Sequence, residues 1–154
     1  MASNRAATRS AARLGAVQAL YQMDIAQTDL ADVLAEFSSV VRLTGGPDAE
    51  EEAIEADIVF LTDIVRGVVG SQRDIDPLVD NHLATGWKLH RVDATLRAIL
   101  RAGSYELRSR PDVPAKVSIS EYIDVARSFF DGDEPKVVNG VLDKLAREFG
   151  REGI

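Results

Sequence analysis

Three arginines, Arg5, Arg9 and Arg13, stand four residues apart near the start of this 154-residue chain, and no acidic residue precedes Asp24. On an α-helix each step of four residues advances about 40° around the axis, so the three fall within about 80° of one another over about 12 Å. Guanidinium groups grip phosphate bidentately and stack on bases. With no carboxylate on that stretch to compete for them, the pattern points to a phosphate-facing stripe and a nucleic-acid partner.

The rest of the chain carries the opposite charge. Residues 1–23 hold +3 and the remaining 131 residues −10, within a net −7. From Asp29 to Asp63 there are ten acids against one base, Arg42. Such asymmetry suits two partners, a nucleic acid at the basic end and a basic protein at the acidic flank. A solvated surface with a basic tail accounts for the same charges.

Other chemistry finds no support. The chain has no cysteine, which excludes thiolate metal sites, disulfides and cysteine nucleophiles and fits a reducing compartment. His82 and His90 are not spaced as a ligand pair and come with no serine or aspartate partner pattern, so both read as surface or edge residues. The acids Asp48, Glu50, Glu51, Glu52, Glu55 and Asp57 lack the alternating spacing of a calcium loop and read as a solvated helix start. No glycine-rich phosphate loop occurs; Gly45 and Gly46 are turn punctuation. No cofactor or metal is expected, and the chain reads as a binding protein, not an enzyme. No apolar run reaches the ~20 residues of a membrane span. The N-terminal stretch matches a transit peptide in composition, but its helical pattern runs on into core-like residues, so it reads as part of the mature protein. A cytoplasmic location follows.

The elements that must position these residues are helical throughout. Leu14, Val17, Leu20 and Tyr21 form an apolar stripe after the arginines, which makes Tyr21 a core residue. Gly15 interrupts that helix, where it either allows another helix close or marks the joint between a mobile N-terminal turn and the fixed part. Thr28 is placed to cap a second helix with Leu30, Val33, Leu34 and Phe37 inward. After the break at "TGGPDAEEE", a third helix carries Ile54, Ile58, Leu61, Ile64, Val65 and Val68 and closes at Gly70–Ser71. A shorter helix holds Ile75, Leu78, Val79 and Leu83. "RVDATLRAILRAGSYELRSR" is helical and "PDVP" forces an extended link. Ser118 and Glu121 have the spacing of a capping box, with Val117 and Tyr122 as its staple. The last helix starts near "DGDEPK" and presents Val138, Val141, Leu142 and Leu145 to the core. No alternating strand pattern occurs. The fold class is all-α, a bundle of about seven helices, forming one domain over residues 1–154 with 1–8 as a flexible lead-in.

The segments "RLGAVQALYQMDIAQ", "LRAILRAGSYELRSRPDVPAKVSISEYIDVARSFF" and "VVNGVLDKLARE" resemble the NusB family of bacterial transcription antitermination factors, in order and in separation, from Arg13 to about Glu148. The resemblance implies two packed helical subdomains and binding to the boxA element of ribosomal RNA transcripts. It implies a heterodimer with NusE, a ribosomal small-subunit protein, and joint action with other Nus factors on RNA polymerase to suppress premature termination. It allows a homodimer when NusE is absent.

RNA binding would fall on Arg5, Arg9, Arg13, Gln18 and Tyr21 along the first helix, and on Asp133, Lys136 and Val137 at the start of the last. The arginines here are more spread than in some relatives, Val137 stands where an aromatic can occur, and Ser120 where asparagine is common. Each residue also has a plain structural role: Asp133 as an N-cap, Lys136 as a surface lysine, and Asn139 as a side chain satisfied by backbone or a neighbouring helix. Two alternative functions are a NusB-like module assisting an rRNA-modifying enzyme and a purely protein-binding helical scaffold. No cofactor motif supports the first, and a chain ending at Ile154 would have to serve that enzyme in trans.

Overall fold

The structure, a computed structural model, describes residues 2–40 and 56–151. The break at "TGGPDAEEE", the acids Asp48 to Glu55 and Ile54 lie outside the described residues. Among the described residues the chain is helical with no strand, in six helices: α1 Ala2–Ala26, α2 Leu30–Val40, α3 Ile58–His82, α4 Ala94–Ser109, α5 Ala115–Phe129 and α6 Glu134–Glu148. Chain contacts divide it into two compact units, Met1–Arg66 and Gly67–Ile154. None of the six helices is long and apolar enough to cross a membrane.

In the first unit α1 packs on α2 and on the start of α3. The alanine-rich sequence favours a helix, and Ala12, Ala16 and Ala19 are fully buried beside Val17 and Leu20. The buried stripe is therefore rotated from the predicted one. Leu14 is only half-buried and Tyr21 is 41% exposed, so Tyr21 is not a core residue. Small residues define this face because a neighbour comes close: a Cβ on Gly15 would stand 2.8 Å from Leu61 Cδ1. The helix ends where Gln27 adopts left-handed backbone (φ 56°), the usual stop for a helical C-terminus. Asp29, not Thr28, stands before α2, its carbonyl accepting from Val33 N at 2.9 Å. Val33, Leu34 and Phe37 are buried as the pattern predicts.

Helix α3 starts at a side-chain cap. Asp57 Oδ1 accepts from Phe60 N at 3.0 Å, satisfying one of the free N–H groups of a helix start. The backbone N–H of Asp57 donates to Thr8 O of α1 at 3.0 Å. The predicted stop at Gly70–Ser71 is instead a kink: Ser71 leaves helical backbone (φ −122°, ψ 15°), its hydroxyl donates to Gly67 O, and the helix resumes to His82. Two predicted helices thereby become one, which accounts for six in place of about seven.

In the second unit α4, α5 and α6 pack against one another. Asp93 caps α4 by accepting from Thr95 N at 2.7 Å. Gly103 on α4 lets α5 and α6 close in, since a Cβ there would lie 2.8 Å from Leu142 and 3.3 Å from Tyr122. The predicted capping box does not form. Pro114 already stands at the N-cap of α5, which places Ser118 inside the helix. Ser118 is buried and its hydroxyl donates to Glu106 Oε2 at 2.5 Å, while the Tyr122 hydroxyl donates to Oε1 at 2.9 Å. A fully buried carboxylate on α4 thus ties down α5 through two hydroxyls. Val117 is exposed, so the staple is absent too. After α6, Arg151 reaches back to the predicted "PDVP" link, donating to Leu107 O at 2.6 Å and Val113 O at 2.5 Å.

Candidate nucleic-acid interface

The three arginines of α1 share a face, and it is the face that packs. Residues rotate 100° each, so Arg9 and Arg13 fall within about 60° of Ala16, in the middle of the buried stripe. Arg13 is accordingly 2% exposed, with its guanidinium carbon 5.0 Å from the Phe60 ring centroid. Arg9 lies over the same ring at 4.6 Å, and its Nε is 3.8 Å from Asp57 Oδ2. A guanidinium over an aromatic face is held by the ring quadrupole, so one phenylalanine positions two arginines while the α3 cap residue takes the charge of one. Arg5 is exposed. The predicted uniform stripe is a gradient, from exposed Arg5 through a largely covered Arg9 to buried Arg13.

Gln18 and Tyr21 are both exposed. They stand about 140° or more around α1 from Arg5, so the helix does not bring them onto the arginine face. Tyr21 is joined by Ile25, 56% exposed, on the last turns.

The second predicted set clusters in the other unit. Asp133 occupies the N-cap position of α6, yet its side chain makes no cap hydrogen bond. Its carbonyl accepts from Val137 N at 3.0 Å. Asp133, Lys136 and Val137 together line a cleft of about 430 Å³. Asn139, predicted to be satisfied internally, is exposed. His90 is exposed, and His82 sits at the edge of the same cleft with Nε2 3.4 Å from Glu148 Oε1. Among the described residues no group of three His, Asp or Glu side chains is arranged to hold a metal.

Phe60 and Asp57 were not predicted as partners of the arginines, nor Trp87, His82 and Lys144 as members of the cleft. Trp87 had a signal: it is the chain's one tryptophan, in the short connection "ATGWKL". Phe60 had none, because a phenylalanine in an apolar helical run reads as core.

Comparison with known proteins identifies the family and the fold. The NusB family model matches residues 10–147. Transcription antitermination protein NusB of Bradyrhizobium sp. (strain ORS 278) is 53% identical over 145 residues, 94% of this chain and 85% of the relative. NusB of Rhodopseudomonas palustris (strain TIE-1) is 51% identical over 148 residues, 96% of this chain and 84% of the relative. The solved structure of T. maritima NusB is 29% identical, with a TM-score of 0.74 over 91% of each chain. A structure of NusB and NusE in complex with dsRNA shares the fold at 24% identity, with a TM-score of 0.71 over 92% of this chain and 97% of that one. The family model spans residues 10–147, from within the first helix to the last, and this chain belongs to the NusB family.

Proposed function

We propose that this chain is a transcription antitermination factor that binds the boxA element of ribosomal RNA transcripts together with NusE. The observation that carries the reading is the family match over residues 10–147. Identity above 50% to proteins named for transcription antitermination supports it, as does the NusB relative solved with NusE and dsRNA. On this reading the chain is a cytoplasmic adaptor, not an enzyme, and the other Nus factors and RNA polymerase are partners in the larger complex.

Arg5 offers its guanidinium to phosphate from the exposed end of α1, and Arg9 follows when Asp57 yields it. Asp133, Lys136 and Val137 form the second RNA surface. Mechanism is linkage: if NusE strengthens RNA binding by some factor, RNA strengthens NusE binding by the same factor. A homodimer in the absence of NusE would compete with that cycle. Transcription in vitro across a boxA leader and a downstream terminator tests the function. The chain should raise read-through only when NusE and the other Nus factors are present. Read-through unchanged by the chain, or unchanged when boxA is scrambled, contradicts it.

A further inference from the structure

The lining of the cleft at the start of α6 has two sources, both within the second unit. One is α6 and the residue before it; the other is the end of α3 and the connection 83–93, through His82, Ala84 and Trp87. That connection is not helical, so no helical ladder fixes where it stands. Its own turn shapes it: Trp87 N donates to Ala84 O at 2.9 Å, and Gly86 takes φ 96°, which suits the glycine position of a type II turn. A turn closed on itself is still not attached to the fold.

Two side chains attach it, both at Leu89. Asp80, on the last turn of α3, accepts from Leu89 N through Oδ1 at 3.1 Å. Arg97, on the first turn of α4, donates to Leu89 O through Nη1 at 3.1 Å, and the same nitrogen donates to Val92 O at 3.1 Å. Leu89 itself is buried. Both polar groups of one peptide residue are therefore held by charged side chains from two helices, and such charge-assisted bonds are the stronger kind. Leu89 follows Trp87 by two residues, about 7 Å of chain at most. Neither Asp80 nor Arg97 lines the cleft, so whatever they do for a ligand there is done through this connection.

We propose that Asp80 and Arg97 are positioning residues for RNA binding: by gripping Leu89 at its N–H and its C=O they hold the Ala84–Trp87 turn as one wall of the cleft that α6 completes. A binding surface is only as precise as the shell that supports it, and here two ion-bearing side chains supply that support to a segment without regular structure. The inference rests on the RNA-binding function above, with Asp133, Lys136 and Val137 as its α6 surface, and adds the residues that set the shape of the cleft.

Trp87 is the only tryptophan in the chain, so its emission reports the turn without a label. In Asp80→Ala the emission of the free chain should move to the red as the half-buried indole gains water. Asp80→Asn, whose amide oxygen still accepts from Leu89 N, should restore the wild-type spectrum. The RNA titration uses boxA RNA and the full chain with NusE saturating. Asp80→Ala and Arg97→Met should each weaken RNA binding about fivefold, the scale of one net hydrogen bond, and Asp80→Asn should stay within about twofold of wild type. A clamp that acts through the cleft is coupled to it. Combined with Lys136→Ala, Asp80→Ala should cost less than the sum of the two singles; combined with Arg5→Ala, in the first unit, the losses should add. A residue that serves only stability would lower Tm without that contrast. Where Asp80→Ala fails to fold, Arg97→Met keeps the aliphatic stem and carries the same cycle. A folded Asp80→Ala chain with wild-type RNA affinity, or losses that add with Lys136→Ala as they do with Arg5→Ala, overturns the inference and leaves the RNA function standing. No boxA binding by the wild-type chain with NusE overturns both.

Discussion

Arg13 stacks on Phe60, its guanidinium carbon 5.0 Å from the ring centroid, and almost none of it reaches solvent. A residue type that suggests phosphate is here part of the packing between α1 and α3. Truncation to alanine removes both the cation–π contact and the buried stem. Arg13→Ala should therefore destabilise the fold by roughly 2 kcal/mol, a drop of about 4–8 °C in Tm for a chain of this size. Arg5→Ala, at an exposed position, should stay within about 0.5 kcal/mol of wild type. Thermal and urea unfolding of the two variants check the contrast.

The same gradient separates the arginines in RNA binding. Each single-strand phosphate contact contributes roughly 0.7 to the slope of log affinity against log salt. Arg5→Ala should flatten the slope by about that amount. Asp57→Asn keeps an oxygen for the Phe60 N–H but removes the charge facing Arg9. It should raise RNA affinity and steepen the slope. A salt series on the two variants reads both, and an Asp57→Asn slope equal to wild type would place Arg9 outside the RNA contact.

Glu106 links two hydroxyls from α5, Ser118 and Tyr122. A hydrogen bond to a charged group contributes about 1.5–3 kcal/mol, and losing a partner inside the core exposes the desolvation cost of the other. Tyr122→Phe should lower stability by that amount. Because both hydroxyls serve one carboxylate, the double variant Ser118→Ala, Tyr122→Phe should differ from the sum of the singles by at least about 0.5 kcal/mol. A chemical-denaturation cycle measures it, and strict additivity would show that the two bonds act separately.

Gly103 should not tolerate alanine. The added methyl would press on Leu142 and Tyr122, both fully buried. Overpacking costs about 1–3 kcal/mol, against about 1 kcal/mol gained in helix propensity. Gly103→Ala should come out destabilised by about 1 kcal/mol on denaturant unfolding, whereas Gly140→Ala, facing open space, should be neutral or stabilising.

The all-helical fold was legible because leucine, valine and isoleucine recur at helical spacing, and Val138, Val141, Leu142 and Leu145 are buried as that spacing requires. The face of α1 was misjudged because its contact is made of alanines, which carry little signal in an apolar pattern, and because Arg9 and Arg13 sit in register with them. Ser118–Glu121 has the letters of a capping box. Only the third dimension shows that Pro114 starts the helix earlier and that a buried carboxylate claims the serine. The kink at Ser71 read as an end because glycine and serine stop helices and bend them alike. Of the candidate site, Asp133, Lys136 and Val137 were found together, while Trp87 and Lys144 join them only through folding, from α3's exit and the middle of α6.

The proposal that this chain and NusE hold boxA RNA as one unit is checked by titrating boxA RNA and a scrambled RNA of equal length against the chain, with and without NusE, across a salt series. The chain alone should bind weakly, should clearly prefer boxA once NusE is added, and should bind NusE more tightly by the same factor when boxA is bound. Equal affinity for the two RNAs in the presence of NusE would contradict it.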